Sequence, residues 1–217
     1  VPADLIHLVR HGEVFNPTGV LYGRLPGFHL SDLGRRMAQL AAESLAGRPI
    51  ARVTASPLTR TRESAEPWTA EFHLPLHIDD RLIEPSNTFE GVNIRQALRK
   101  NPLLARRLIN PWKPSWGEPF VSIAARMMAA VADAHASVDR GEVALVSHQL
   151  PIWMVARTVQ GKPLATDPRH RRCSLSSITT IAWDARAGRD GTGAFAEVDY
   201  QEPAAALLAE SIDLGAV

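Results

Sequence analysis

Short runs rich in Val, Leu, Ile and Ala occur at residues 5–9, 51–55, 143–146 and 178–183. A strand with one solvated face alternates apolar and polar residues strictly; near-continuous runs such as LIHLV and VALV suit strands covered on both faces. Between the runs, apolar residues recur with helical spacing near 31–46, 58–71, 119–138 and 149–160. Strand and helix therefore alternate along the chain. That order predicts an α/β fold with a mostly parallel central sheet and helices on each side. The fragment GAFAEVDY, residues 193–200, is expected to add an edge strand.

The chain has 217 residues, 45% of them hydrophobic, which is enough for one sizeable core and short for two. A single domain over 1–217 is expected. Lys and Arg (24) nearly cancel Asp and Glu (23), so nothing chain-wide draws it to nucleic acid or to an anionic membrane, and neither is expected as a partner. One cysteine, Cys173, cannot form an intrachain disulfide. With no basic and apolar leader pattern at the start, the expected location is the cytoplasm. No apolar stretch approaches the roughly 20 residues of a membrane-spanning helix. His73 and His77 have the i, i+4 spacing of a metal pair, but Pro75 between them argues against one helix face; no metal or cofactor is expected. His7, inside the first strand, reads as a satisfied core histidine, whereas His29, His135 and His170 have no partner visible in sequence.

The apolar runs end in residues that resist burial. LIHLVRHGE closes on Arg10 and His11, SPLTRTRESA places Ser56 and Arg60 just past the second run, and SHQLP places Ser147 and His148 past the third. In open α/β sheets ligands gather beyond the carboxyl ends of the strands, so two His and two Arg are expected at one edge. Such a group suits a tetrahedral oxyanion such as phosphoryl, because each guanidinium holds two oxygens in a fixed fork. A neutral imidazole can attack phosphorus while the other imidazole hydrogen-bonds its oxygens. The leaving alkoxide then needs a proton, and Glu84 in RLIEPS and Glu90 in FEG are both candidate donors.

At these residues the chain resembles the histidine phosphatase superfamily, branch 1, the phosphoglycerate mutase-like group, whose mark is a strand followed by Arg-His-Gly-Glu. Here those are Arg10, His11, Gly12 and Glu13. The resemblance continues through HLSDLGRRMA (29–38), SPLTRTRESA (56–65), RLIE (81–84) and VSH (146–148), covering residues 5 to about 160 in order. It implies a three-layer α/β/α sandwich. It also implies that His11 becomes phosphohistidine, that Arg10, Arg60 and His148 grip the phosphoryl oxygens, and that Glu84 donates the proton, with Glu90 as a fallback. Several residues depart from the family pattern: Gln149 replaces a Gly, Met37 a common Gln, and Thr61 and Ser64 vary the usual Arg-Ala-x-x-Thr. Asn16 falls one residue closer to His11 than the family's Asn, and LIEPSNTFEG lacks the mutase-type acid segment. The expectation is therefore a phosphatase acting on a small-molecule phosphate ester, with mutase-type transfer and a non-catalytic phospho-ligand binder as alternatives.

Residues 85–118 resist the strand and helix alternation and read as an insertion. Between Glu90 and Glu118 there is no acidic residue, while Arg95, Arg99, Lys100, Arg106, Arg107 and Lys113 accumulate around Trp112 and Trp116. In the family the comparable region covers the active site. Two readings stand side by side here: a basic, aromatic cover that favours a further negative charge or a flat ring on the ester, and a solvated helical hairpin with Trp anchors.

Overall fold

The computed structural model describes residues 2–101, 117–165, 171–187 and 193–213. Within them, β1 (Leu5–Arg10), β2 (Ile50–Ala55), β3 (Leu76–Ile78), β4 (Glu142–Ser147), β5 (Ile178–Asp184) and β6 (Ala194–Gln201) form one sheet, in the order β3-β2-β4-β1-β5-β6. The first four strands run parallel, β5 runs antiparallel to β1, and β6 runs antiparallel to β5. The fold is thus α/β with a mixed, mostly parallel sheet, and the expected edge strand is β6. Strand β3, three residues long, was not foreseen.

Side chains alternate between two cores. Ile6 and Leu8 of β1, with Val143 and Leu145 of β4, pack on one face with α4 (Phe120–Ala136) and α5 (Gln149–Val159). Val9, Ala144 and Val146 point to the other face, toward Ala41 and Ala42 of α1 (Asp32–Glu43) and Ala65 and Trp68 of α2 (Thr59–Phe72). This period of two, buried on both sides, is why the sequence of the central strands is so apolar. Each large aliphatic side chain so enclosed contributes roughly 1.5–3 kcal/mol relative to exposure. Among the described residues no helix is long and apolar enough to cross a membrane.

The one polar residue of LIHLV is satisfied internally. His7 is buried, with Nε2 2.8 Å from Glu142 Oε2 and Nδ1 3.0 Å from Thr180 Oγ1. Arg48 donates to both oxygens of the same carboxylate. The core reading of His7 thus holds. His29 and His135 do have partners, both distant in sequence: Glu63 Oε1 lies 2.6 Å from His29 Nδ1, and His135 packs edge-on against Phe195. His73 ends α2 in a left-handed conformation and His77 lies on β3, so no helix face unites them. His170 lies outside the described residues.

Two turns bring the loops around the sheet edge into place. Ser31 caps α1, its Oγ accepting from Gly34 N–H at 2.9 Å, and Asp32 in the first turn complements the helix dipole. Here the backbone after β1 passes so close to α1 that a Cβ on Gly12 would lie 2.2 Å from Gly34 O, and one on Gly34 would lie 2.0 Å from Glu13 O. Further on, a 3₁₀ turn (Asp80–Leu82) leads to Glu84. Within the region read as an insertion, α3 (Ile94–Lys100) is capped by Asn93, and a bridge between Asn87 and Gly117 joins its two ends. The basic and aromatic residues Arg106, Arg107, Trp112, Lys113 and Trp116 lie outside the described residues. Since backbone blocks any Cβ at position 34, Gly34→Ala is expected to lower unfolding free energy by about 3 kcal/mol. Urea denaturation checks this; a variant as stable as the parent would contradict the close approach of the two backbones.

Candidate active site

Strand β4 lies between β1 and β2, so the carboxyl ends of all three adjoin. Arg10 ends β1 opposite Ser147, which ends β4. His11 N–H donates to Ser147 O (3.1 Å), and Ser56 N–H donates to Val146 O (3.0 Å), so the exits of the three strands are tied together. Arg60 projects from the first turn of α2. Ser147 Oγ donates to Leu82 O (2.7 Å) and draws in the segment carrying Glu84. The structure therefore brings together Arg10, His11, Arg60, His148 and Glu84. The first four are at most 1% exposed and Glu84 is 4% exposed.

The hydrogen bonds fix the tautomers. Gly12 O can only accept, so His11 Nδ1–H donates to it (2.7 Å) and Nε2 keeps its lone pair. Arg60 Nη2–H can only donate, so His148 Nδ1 accepts (3.2 Å), and Nε2–H then donates to Ser56 Oγ (2.8 Å). The two imidazoles meet edge to face, with centroids 5.2 Å apart. Burial, followed by the charges of Arg60 and Arg10, holds His11 well below the ordinary imidazole value of 6.5. Burial, Arg60 and His11 do the same to His148. Glu84 Oε2 lies 3.4 Å from His148 Nδ1, a distance typical of an ion pair. Desolvation holds the imidazole neutral and also raises the Glu84 carboxyl above its usual range, against the pull of Arg60 and Arg10. Glu84 Oε1 is buried without a hydrogen-bond partner among the described residues.

Several site residues carried no signal in the sequence. Tyr22, buried, stacks under the Arg60 guanidinium at 4.7 Å, and Arg60 Nη2 also donates to Gly23 O (2.8 Å). Burial pushes the Tyr22 phenol up to about 12, so it stays un-ionised. Arg10 donates to Cys173 O and, through both terminal nitrogens, to the Asp213 carboxylate. Burial works against charge on Arg10, but Asp213 outweighs it and raises the guanidinium above its ordinary value. Glu13, adjacent to the Arg-His-Gly run, accepts from Ser31 Oγ and from Ile212 N–H (2.6 Å).

The residues that depart from the family pattern find uses here. Ser64 Oγ accepts from Gly12 N–H (3.1 Å) and donates to Arg60 O, linking the two strand exits. Met37 is core, and Gln149 Nε2 donates to Cys173 O (3.4 Å). Asn16 holds its own loop through Val20. Glu90 is not placed as an acid: its Oε1 accepts from the backbone N–H groups of Arg24 (3.0 Å) and Asn87 (3.3 Å). Among the described residues, no group of three or more His, Cys, Asp or Glu is placed to hold a metal ion.

Comparison with known proteins fits this geometry. Residues 6–189 match the Histidine phosphatase superfamily (branch 1). An uncharacterised protein of Mycobacterium tuberculosis is 46% identical over 202 residues, spanning 92% of this chain and 96% of that protein. The glucosyl-3-phosphoglycerate phosphatase of Mycolicibacterium vanbaalenii is 30% identical over 205 residues, 89% of this chain and 90% of the relative. Two solved structures of a mycobacterial glucosyl-3-phosphoglycerate phosphatase also superpose. The complex with inorganic phosphate has a TM-score of 0.74 at 25% identity, covering 93% of this chain and 99% of that one. The complex with VO3 has a TM-score of 0.73 at 26% identity, covering 90% and 98%.

The buried, cation-flanked imidazoles yield a direct expectation. Because their folded values are depressed, His11 and His148 stay neutral as pH falls through 6.5, the range in which an unfolded histidine gains its proton. NMR titration of the imidazole resonances checks this, and a midpoint near 6.5 for either residue would contradict the electrostatics described.

Proposed function

The chain belongs to branch 1 of the histidine phosphatase superfamily, and we propose that it is a phosphatase that hydrolyses a small-molecule phosphate monoester through phosphohistidine on His11. The observation that carries this reading is the locked tautomer of His11: Nδ1–H is spent on Gly12 O, and an unprotonated Nε2 remains on a buried ring under the charges of two buried guanidiniums. A dianionic phosphoryl group supplies acceptors for the unpartnered Nε–H groups of Arg10 and Arg60 and negative charge beside Arg60, which burial biases against its own. Fixed cations in a dry pocket need not reorganise as charge shifts in the transition state.

In the first step His11 Nε2 bonds to phosphorus as the ester P–O bond breaks, and Glu84 gives its proton to the departing alkoxide. In the second, the Glu84 carboxylate takes a proton from water, whose oxygen bonds to phosphorus as the P–N bond breaks; phosphate leaves and His11 is again neutral. The raised carboxyl of Glu84 suits this alternation of acid and base. With Nδ1 taken by Arg60 and Nε2–H spent on Ser56 Oγ, His148 acts on the phosphoryl group through the Arg60 guanidinium that it orients, rather than by gripping an oxygen itself.

The same reading treats 1–217 as one domain with residues 85–118 as a cover over the site. Arg24 supports it: its Nε–H donates to Glu84 O (2.6 Å) while its Nη2 lies 3.5 Å from Glu118, joining the base of that segment to the acid.

A screen of phosphate esters measuring free phosphate tests the proposal. The parent is expected to release phosphate and His11→Ala to lose nearly all release; equal activity would exclude His11 as nucleophile. Phosphoryl exchange without net release would instead favour a mutase, and saturable binding without turnover of any ester a non-catalytic binder. The pH profile is a second check. Glu84 must enter protonated, so kcat/KM falls as pH rises through its value, which lies above the ordinary 4.5. Glu84→Gln removes that limb and slows turnover of an alkyl phosphate by about 10²–10⁴-fold; an unchanged profile would contradict the assignment.

A further inference from the structure

Arg10 has five N–H hydrogens, and the structure accounts for three of them. Nη1 donates to Cys173 O (2.8 Å) and to Asp213 Oδ2 (2.8 Å), and Nη2 donates to Asp213 Oδ1 (2.6 Å). The end-on fork of the guanidinium is thus closed by one carboxylate, and the outer hydrogen of Nη1 by one carbonyl. The unused hydrogens are those of Nε, buried without a partner among the described residues, and the second on Nη2. These two lie side by side on the same edge of the planar group and point the same way, the geometry that accepts two oxygens of one tetrahedral anion. Asp213 is itself held: the preceding amide, Ile212 N–H, donates to Glu13 Oε1 (2.6 Å), and Glu13 Oε2 takes Ser31 Oγ at the cap of α1. A residue 203 positions from Arg10 is in this way fastened to the loop that follows His11.

We propose that Asp213 is a positioning residue: by occupying the end-on fork of Arg10, it turns the Nε–Nη2 edge of that guanidinium toward the phosphoryl group. The inference rests on the phosphatase reading of the pocket. An alternative role for the same contact, a carboxylate that competes with phosphate for Arg10, makes the opposite prediction. The geometry favours positioning, since Asp213 leaves one complete bidentate edge unoccupied. With its side chain 38% exposed, Asp213 also lies at the outer wall, while the guanidinium it holds is fully enclosed.

The test is equilibrium binding of vanadate and of inorganic phosphate, measured by calorimetry on the full chain so that no turnover is required. Asp213→Ala and Asp213→Asn are expected to weaken binding on the order of 10- to 100-fold, the usual cost of freeing a group that orients a binding side chain. In an Arg10→Ala background, Asp213→Ala is expected to add nothing, because the side chain it positions is gone. That non-additivity separates positioning from a general effect on folding, which would multiply in both backgrounds, and thermal melts of the five proteins identify any variant that fails to fold. Unchanged binding in Asp213→Ala, tighter binding, or multiplicative losses would each overturn the proposal while leaving the pocket reading intact. A parent that binds neither anion would overturn both.

Discussion

Two guanidiniums, Arg10 and Arg60, are buried together at one edge of the sheet, and the chemistry of the site depends on that. A cation removed from water is costly unless neighbouring groups replace its solvation. Arg10 has the Asp213 carboxylate and the Cys173 carbonyl; Arg60 has the Tyr22 ring, Gly23 O and the lone pair of His148. Neither set is complete. Burial still biases Arg60 against its charge despite Tyr22 and Glu84, and a Nε–H on each guanidinium is unpartnered among the described residues. On the proposed reading, an incoming dianion would relieve both deficits at once.

Burial, together with the same two charges, biases the other titratable groups of the site. Burial and these charges keep His11 and His148 neutral, so that each ring retains one lone pair, on Nε2 of His11 and on Nδ1 of His148, where Arg60 takes it. Glu84 feels them in the opposite sense, yet desolvation prevails and its carboxyl is raised, as suits a proton donor. One electrostatic environment thus gives both a neutral imidazole and a carboxyl of raised pKa, the states that the proposed nucleophile and acid require. His11 follows directly on the end of β1, Glu84 lies just past a 3₁₀ turn, and cross-ties such as Ser64 to Gly12 and Ser147 to Leu82 hold both segments in place.

How much is legible in the sequence depends on which interactions are local. Strands buried on both faces leave continuous apolar runs, and the residues that end those runs fall at one sheet edge whatever the order of the strands. Arg10, His11, Arg60 and His148 are legible that way, and Glu84 only as one of two candidate proton donors, favoured by the resemblance that RLIE carries. Strand β3 was missed because three residues carry no periodicity, and the reversed direction of β5 leaves no trace in its apolar content. The choice between Glu84 and Glu90 was open for a similar reason. Only the fold shows that Ser147 pulls the Glu84 segment inward while Glu90 is spent on the amides of Arg24 and Asn87. Asp213 was invisible for the simplest reason, since its partner stands 203 residues away and an acidic residue near the chain end looks like any solvated charge.

The central claim, that burial beside the enclosed cations holds His11 as a neutral nucleophile for phosphorus, is tested most directly by rapid quenching during turnover of a ³²P-labelled ester, followed by peptide mapping under alkaline conditions that preserve phosphohistidine. The account predicts up to one phosphoryl group per chain, bonded to His11 Nε2 and lost on acid treatment. Steady phosphate release with no label on His11 at any quench time would mean that water attacks the ester directly, and would contradict it.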